Sequence, residues 1–278
     1  MNWVDALRCP RCTARGLAIS PPATDEPLPA HGAACCAVCG ARLLIRDHIL
    51  DLAPHNLGRV TLAGLSNFLP LLPWGYETVW RPRALTLLTG AQFSIARELS
   101  IVNEALGVQP HELIVDLGSS TDLYARGVAH ATRYLGVAAP TLVAIDIAPG
   151  MLRAGRAYAR RAGVRSIAHV RANVERLPFA DATVDALVCG GSLNEFRSMA
   201  SALREARRVV APRGRMVAMS LLAARTWTGK LAQGNAHLSG IQFPSLDTFN
   251  ATLRAAGWRC ERQQIFGVVA FTLMKPLE

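Results

Sequence analysis

From residue 111 onward the chain alternates apolar runs with helical periodicity, and no other sequence feature constrains the fold as much. The runs "ELIVDL", "TLVAIDI", "SIAHVRA", "VDALVCG" and "GRMVAMSLL" are apolar along nearly their whole length. Helical stretches lie among them: about Asp122 to Ala138, "GMLRAGRAYARRAG" and "SMASALREARRVV". A further helix, "LDTFNATLRAAG", precedes two closing strand-like runs, "RCERQQI" and "GVVAFTLMK". Strands apolar on both faces need cover on both faces. The pattern therefore predicts an α/β fold with a largely parallel sheet between helical layers. Ligands of such sheets sit at the carboxyl ends of the strands.

The polar residues that could carry chemistry fall at those ends. The first strand stops at Asp116, and Gly118 opens a turn within "IVDLGSSTDLYARG". The second strand stops at Asp146, an acid placed to accept ribose hydroxyls. After the third strand, Asn173 is placed to meet an adenine edge and Val174 its face. The fourth ends at Cys189-Gly190-Gly191, where missing side chains leave room for a ligand. Ser120 and Asp122 stand where a loop approaching a ligand would use glycine, for close contact and positive φ. Two readings of Asp122 are open. Its charge weakens binding of an anionic ligand group by about 1 kcal/mol or more, or it turns outward and serves the start of the next helix.

Five of the seven cysteines precede residue 40. Cys9-Pro-Arg-Cys12 and Cys36-Ala-Val-Cys39 are two CxxC pairs, each a tight knuckle that aims two sulfurs at one point. Two knuckles complete a tetrahedron, so the spacing predicts a structural four-thiolate zinc site with no open position. Cys35 competes with Cys36 for the third place, and the CxxC spacing favours Cys36. Cys189 and Cys260 read as core residues. The proline-rich "SPPATDEPLPAH" reads as a loop between the knuckles, and "ARLLIRDHILDLAP" as a strand.

Residues 1–54 thus form a small zinc ribbon, 55–108 a helical linker or lid, and 109–278 the main domain. In the linker, "YETVWRPRALTLLTG" and "QFSIARELSIVNEALG" read as helices stopped by Gly90 and Gly107. They serve either as a lid over a substrate or as packing on the sheet. Phe68, Tyr76 and Trp80 are candidates to line an apolar pocket. No apolar run is long enough for a membrane helix and the N-terminus lacks a secretory pattern, so a cytoplasmic location is expected. The net charge of +10 invites a nucleic-acid partner, but the arginines are scattered over helices as solvated faces are.

The segments "DLGSSTDLYA", "DIAPGML", "RANVERLPFADATVD" and "RRVVAPRGR", in that order, resemble the class I S-adenosylmethionine-dependent methyltransferases of the group acting on small molecules and quinones. The family pattern reads DLGxGTGxYA, D-x-S-x-x-M-L, DAExLPFxDxxFD and RxLxPGG. The resemblance covers about residues 75 to 275. It implies a Rossmann-like sheet of order 3-2-1-4-5-7-6 with the last strand antiparallel. It places Asp116, Gly118, Ser119, Ser120 and Thr121 around the methionine end of the cofactor. Asp146 would hold the ribose, Ile147, Met151, Asn173 and Val174 the adenine, and Gly190 would lie beside the cleft. The N-terminal head resembles zinc ribbons of some bacterial methyltransferases, including a ribosomal-RNA guanine family.

These features lead to an expected O- or C-methylation of a small, partly apolar metabolite. Two alternatives are a ribosomal-RNA base methyltransferase whose ribbon binds RNA, and a methyltransferase-shaped protein whose altered loop serves other chemistry. Asn194 and Glu195 in "GGSLNEF" fall near the expected methyl position. Glu195 is either a general base or a helix cap. His237, in "GNAHLSG", reads as a loop residue.

Overall fold

The computed structural model describes residues 2–23, 25–53, 77 and 81–277. Phe68, Tyr76, Trp80 and the apolar stretch 56–75 lie outside the described residues.

The described residues build one eleven-stranded sheet. The head supplies β1 (Leu17–Ser20), β2 (His31–Cys36), β3 (Arg42–Arg46) and β4 (Ile49–Asp51). The main domain supplies β5 (Leu113–Leu117), β6 (Thr141–Asp146), β7 (Ile167–Arg171), β8 (Val184–Gly190), β9 (Val210–Leu221), β10 (Trp258–Phe266) and β11 (Val269–Pro276). The order is β1-β2-β3-β4-β7-β6-β5-β8-β9-β11-β10. Counted within the main domain this is 3-2-1-4-5-7-6, with β11 antiparallel to both neighbours, as the family resemblance implies.

Among the described residues seven α-helices accompany it: α1 (Arg81–Thr89), α2 (Ile95–Leu106), α3 (Leu123–Tyr134), α4 (Pro149–Arg161), α5 (Met199–Val209), α6 (Trp227–Leu238) and α7 (Leu246–Ala255). Ser94 caps α2 through Arg97 N–H, and Gly107 ends it in the left-handed conformation that glycine tolerates best. Leu85 of α1 and Ile101, Val102 and Leu106 of α2 enter the core against Ile114, Val188 and Val217. The described part of the linker therefore packs on the sheet. No helix among the described residues is long and apolar enough to cross a membrane.

The other face of the sheet shares its core with the head. Trp3, Leu7, Ile45, Leu50 and Leu52 join Val170, Val174, Leu177 and Phe179 in one cluster. Each such leucine contributes roughly 2 kcal/mol on full burial. Backbone bonds reinforce the seam: Arg8 N–H donates to Pro178 O at 2.8 Å and Ala180 N–H to Ala6 O at 2.7 Å. The ribbon is thus continuous with the main sheet, because β4 pairs in parallel with the edge strand β7.

Three local expectations are corrected. Cys260, expected in the core, is exposed on β10. "RLLIRDHILD" is a hairpin, not one strand. Asp47 and His48 take φ of 53° and 60°, which suits a two-residue turn between twisted strands. His237 lies in α6, a helix hidden from sequence periodicity by Gly229 and Gly234. Its Nδ1 sits 3.0 Å from Ile241 O.

Candidate functional site

The loop after β5 turns on three left-handed residues: Gly118 (φ 63°), Ser120 (φ 51°) and Asp122 (φ 60°). The last two pay for glycine geometry without being glycine. Bonds hold them there: Ser119 N–H donates to Ile145 O at 2.9 Å, Ser120 N–H to Asp146 Oδ2 at 2.9 Å, and Asp122 N–H to Ser119 O at 2.8 Å. Gly118 has no alternative, because a Cβ there would stand 2.6 Å from Ser192 Cβ. The Ser192 hydroxyl donates to Gly118 O at 2.8 Å, fastening this loop to the one after β8.

Asp122 turns neither outward nor into the cleft. Its carboxylate is fully buried beneath the loop, with Oδ2 2.6 Å from Nε2 of His169 on β7. It stands at the N-cap of α3 but makes no side-chain cap bond, so the expected helix-start role of its side chain is corrected. The carboxylate fills the space over Gly155 of α4, where a Cβ would lie 2.5 Å from Asp122 Cγ.

Around the cleft, burial and the neighbouring Asp122 charge push the Asp116 carboxyl up to about 8, against the opposing Ala125 N–H and Arg81. Burial also lifts Asp146 to about 6, although amides of Ala148 and Ser120 favour its charge. Across from the loop, Arg81 of α1 donates from Nη1 and Nη2 to Gly190 O, each at 3.2 Å. Glu98 of α2 pairs with that guanidinium and accepts from the Tyr124 hydroxyl at 2.7 Å. Arg81, Asp116, Gly118, Ser120, Thr121 and Tyr124 line one small cleft at the carboxyl ends of β5 and β8. The Thr121 hydroxyl donates to Glu77 at 2.9 Å.

A family model described as a methyltransferase domain matches residues 115–218, from β5 through β9. The ubiquinone/menaquinone biosynthesis C-methyltransferase UbiE of Haemophilus ducreyi is 29% identical over 163 residues, covering 52% of this chain and 61% of that protein. Among solved structures, the complex of the Haloferax volcanii Trm112 methyltransferase activator with a methyltransferase aligns at a TM-score of 0.56 and 15% identity, over 74% of this chain and 96% of the other. Geranyl diphosphate C-methyltransferase of Streptomyces coelicolor aligns at 0.52 and 15%, over 64% and 77%. Residues 115–218 thus match a methyltransferase domain, on the fold of the solved methyltransferases. The match spans less than two thirds of the length of the curated relatives.

Within the methyltransferase domain, Asp116, Gly118, Ser119, Ser120, Thr121, Asp146 and Gly190 converge on the ends of β5, β6 and β8. Met151 is buried behind Ser120, with its sulfur 3.6 Å from the serine hydroxyl. Ile147 is half-buried, and its carbonyl accepts from Arg171 Nε at 3.1 Å. Asn173 Oδ1 accepts from Glu175 N–H at 2.9 Å, so its carbonyl already serves its own turn. Val174 packs into the core shared with the ribbon, not against an open cleft.

Asn194 is buried and spends its amide on backbone. Nδ2 donates to Leu221 O at 2.8 Å and to Gln242 O at 2.6 Å, and Oδ1 accepts from Leu221 N–H at 2.8 Å. That geometry makes it a positioning residue between the β8 loop and β9 and corrects the expected catalytic role. Glu195 is half-buried and does not cap α5, whose cap is Ser198. Arg81, Glu98, Tyr124 and His169 escaped the sequence reading, since each acquires its role from a partner on another element.

In the head, the sulfurs of Cys9, Cys12, Cys36 and Cys39 all lie within 4.8 Å of one another. Cys35 is exposed and outside this group. Backbone N–H groups of Cys39 and Val38 draw the Cys36 thiol down to about 6, so it is readily a thiolate. The four-sulfur donor set fits tetrahedral zinc.

Two outcomes follow. Cys36→Ser should lose bound zinc and lower the melting temperature by roughly 5 °C or more, whereas Cys35→Ser should keep both; metal analysis and thermal melts check this. A glycine-to-alanine change within a helix ordinarily gains about 1 kcal/mol. Gly155→Ala should instead cost about 1–3 kcal/mol by collision with the Asp122 carboxylate. The same change in an Asp122→Gly background should be neutral or stabilising, as read by denaturant titration.

Proposed function

We propose that this chain transfers the methyl group of S-adenosylmethionine to a carbon or oxygen of a small, partly apolar acceptor. One observation carries the reading. The loop of residues 116–122 keeps glycine-type backbone geometry, and the Asp122 carboxylate is withdrawn beneath it, so that charge does not confront the cofactor. The quinone C-methyltransferase named among the relatives supports carbon methylation of an apolar acceptor.

In this reading the cofactor supplies an already activated methyl on a sulfonium, and the protein mainly aligns the acceptor with it. Asp116, Gly118, Ser119, Ser120 and Thr121 flank the methionine end. Arg81, opposite them at Gly190, supplies positive charge for a carboxylate. Asp146 accepts from the ribose, with Ile147, Met151 and Asn173 toward the adenine. Glu195 serves as the base where the acceptor must lose a proton.

A second reading, RNA as partner, is favoured by a cavity of about 600 Å³ where the ribbon meets the methyltransferase domain. Arg8, Arg11, Arg42, Arg176 and Arg208 line it. Arg8 and Arg208 pair with Asp181, and Arg208 also with Glu205. Arg11, Arg42 and Arg176 have no acidic partner among the described residues. Such a groove suits phosphates. Here oligonucleotide affinity should fall steeply with salt, and the triple variant Arg11→Ala, Arg42→Ala, Arg176→Ala should flatten that slope. No oligonucleotide binding at low salt removes this reading.

The cofactor reading has its own test. A carboxyl raised to about 8 is protonated at neutral pH in the free chain, and a cationic amine beside it favours the ionised form. Binding then releases a proton, so affinity increases with pH up to about 8 and levels off above it. Calorimetric titration with S-adenosylhomocysteine from pH 6 to 9 should show this rise. Asp116→Asn should weaken binding and flatten the profile. A wild-type chain with no saturable binding at any pH contradicts the proposed function.

A further inference from the structure

Every second residue of β7 faces the helical layer that holds the cofactor loops, and two of these residues reach different loops. His169 Nε2 lies 2.6 Å from Asp122 Oδ2 in the loop after β5. Arg171 Nε donates to Ile147 O, at 3.1 Å, in the loop after β6. The other edge of β7 is zipped to the ribbon strand β4, residue by residue: Ile49 with His169, Leu50 with Val170, Asp51 with Arg171. Leu52 N–H donates to Arg171 O at 2.8 Å. Arg171 therefore bridges ribbon and cofactor loop with one guanidinium, its Nη1 donating to Asp51 Oδ2 at 2.8 Å while its Nε holds Ile147. A planar guanidinium fixes both partners at once, as a flexible ammonium cannot.

We propose that the zinc ribbon and the cofactor cleft are energetically coupled through β7, with Arg171 as the positioning residue that transmits the state of the four-thiolate head to the loop at Ile147. The inference rests on the cofactor reading above and goes beyond it, giving the head a task in the methyltransferase domain's own chemistry. When the knuckles close on metal, β2 and β3 are fixed, and with them the hairpin that presents β4. β4 sets the edge of β7, and β7 holds both loops. Coupling of this kind is reciprocal: whatever the closed head contributes to cofactor affinity, bound cofactor returns to metal affinity by the same factor.

Reciprocity supplies a readout apart from activity. The zinc-loaded full chain is titrated with a competing chelator, with and without saturating S-adenosylhomocysteine. In the wild type the ligand should raise the apparent zinc affinity about threefold or more. Arg171→Ala should abolish that increment and weaken S-adenosylhomocysteine binding about fivefold, while keeping one zinc per chain. Arg171→Lys should restore only part of it. Asp51→Ala, which cuts the ribbon end of the bridge and leaves the bond to Ile147, guards against a folding defect in the arginine variant and should also lose the coupling. Arg133→Ala, on the exposed end of α3, should leave it unchanged. If S-adenosylhomocysteine binds normally and zinc affinity does not respond, this inference alone is overturned. Persistence of full coupling in folded Asp51→Ala and Arg171→Ala chains overturns it equally. A wild-type chain that fails to bind S-adenosylhomocysteine overturns the cofactor reading and this inference with it.

Discussion

Asp122 and His169 meet 2.6 Å apart with almost no solvent on either side, and the loop after β5 takes its shape from that contact. A buried carboxylate without a partner costs several kcal/mol, and a direct charge-assisted bond offsets much of this. The offset is incomplete, because Asp122 Oδ1 has no hydrogen-bond partner among the described residues. The backbone adds about 1 kcal/mol for each non-glycine residue held left-handed. An arrangement that costs this much locally fixes position more than it stabilises. It draws the loop down toward β7, leaves Gly155 no room for a side chain, and keeps the Asp122 charge out of the cleft.

The remaining electrostatics follow from the same placement. Asp116, Asp122 and Asp146 crowd one loop, and low polarity around them disfavours three simultaneous charges. The burden falls on Asp116, whose carboxyl is raised further than that of Asp146. On the opposite wall, Arg81, Glu98 and Tyr124 form a buried network that ties α1 and α2 to the end of β8. The two walls are thus of opposite kinds. One is a proton-rich acidic loop and the other a charge-compensated arginine held by helices from the linker. In the proposed reading the cofactor's amine faces the acidic loop and its carboxylate faces the Arg81 wall.

Much of this was legible in the sequence. Continuous apolar runs named the parallel sheet, strand ends named Asp116 and Asp146, and CxxC spacing chose Cys36 over Cys35. Periodicity and motif spacing are local signals, and they failed where a distant partner decides. Nothing within ten residues of Asp122 reveals that its side chain points at His169. Arg81 reads as one arginine among many until Glu98, Tyr124 and Gly190 gather around it from three elements. Asn194 looked chemical because polar residues after a fourth strand often are. Its real commitments, to Leu221 and Gln242, lie 27 and 48 positions away. The hairpin at Asp47–His48 was masked by the opposite effect: alternating residues continue through a turn as readily as through a strand.

The ribbon poses a problem of edges. Without it, β7 would present unpaired amides and carbonyls along the side of a large sheet, a template for unwanted pairing. β4 occupies that edge, and the sheet then runs out through short head strands to β1, which gives way to Pro21 and Pro22. At the far side, β10 carries Arg259, Glu261 and Arg262, charges that discourage further addition. Placing the cover on β7 has a consequence beyond protection. The strand that needs its edge closed is also the strand whose side chains hold the loops after β5 and β6. A close-packed sheet transmits displacement instead of absorbing it. A head docked on β10 would close an edge too, but only β7 carries the side chains that reach the loops after β5 and β6.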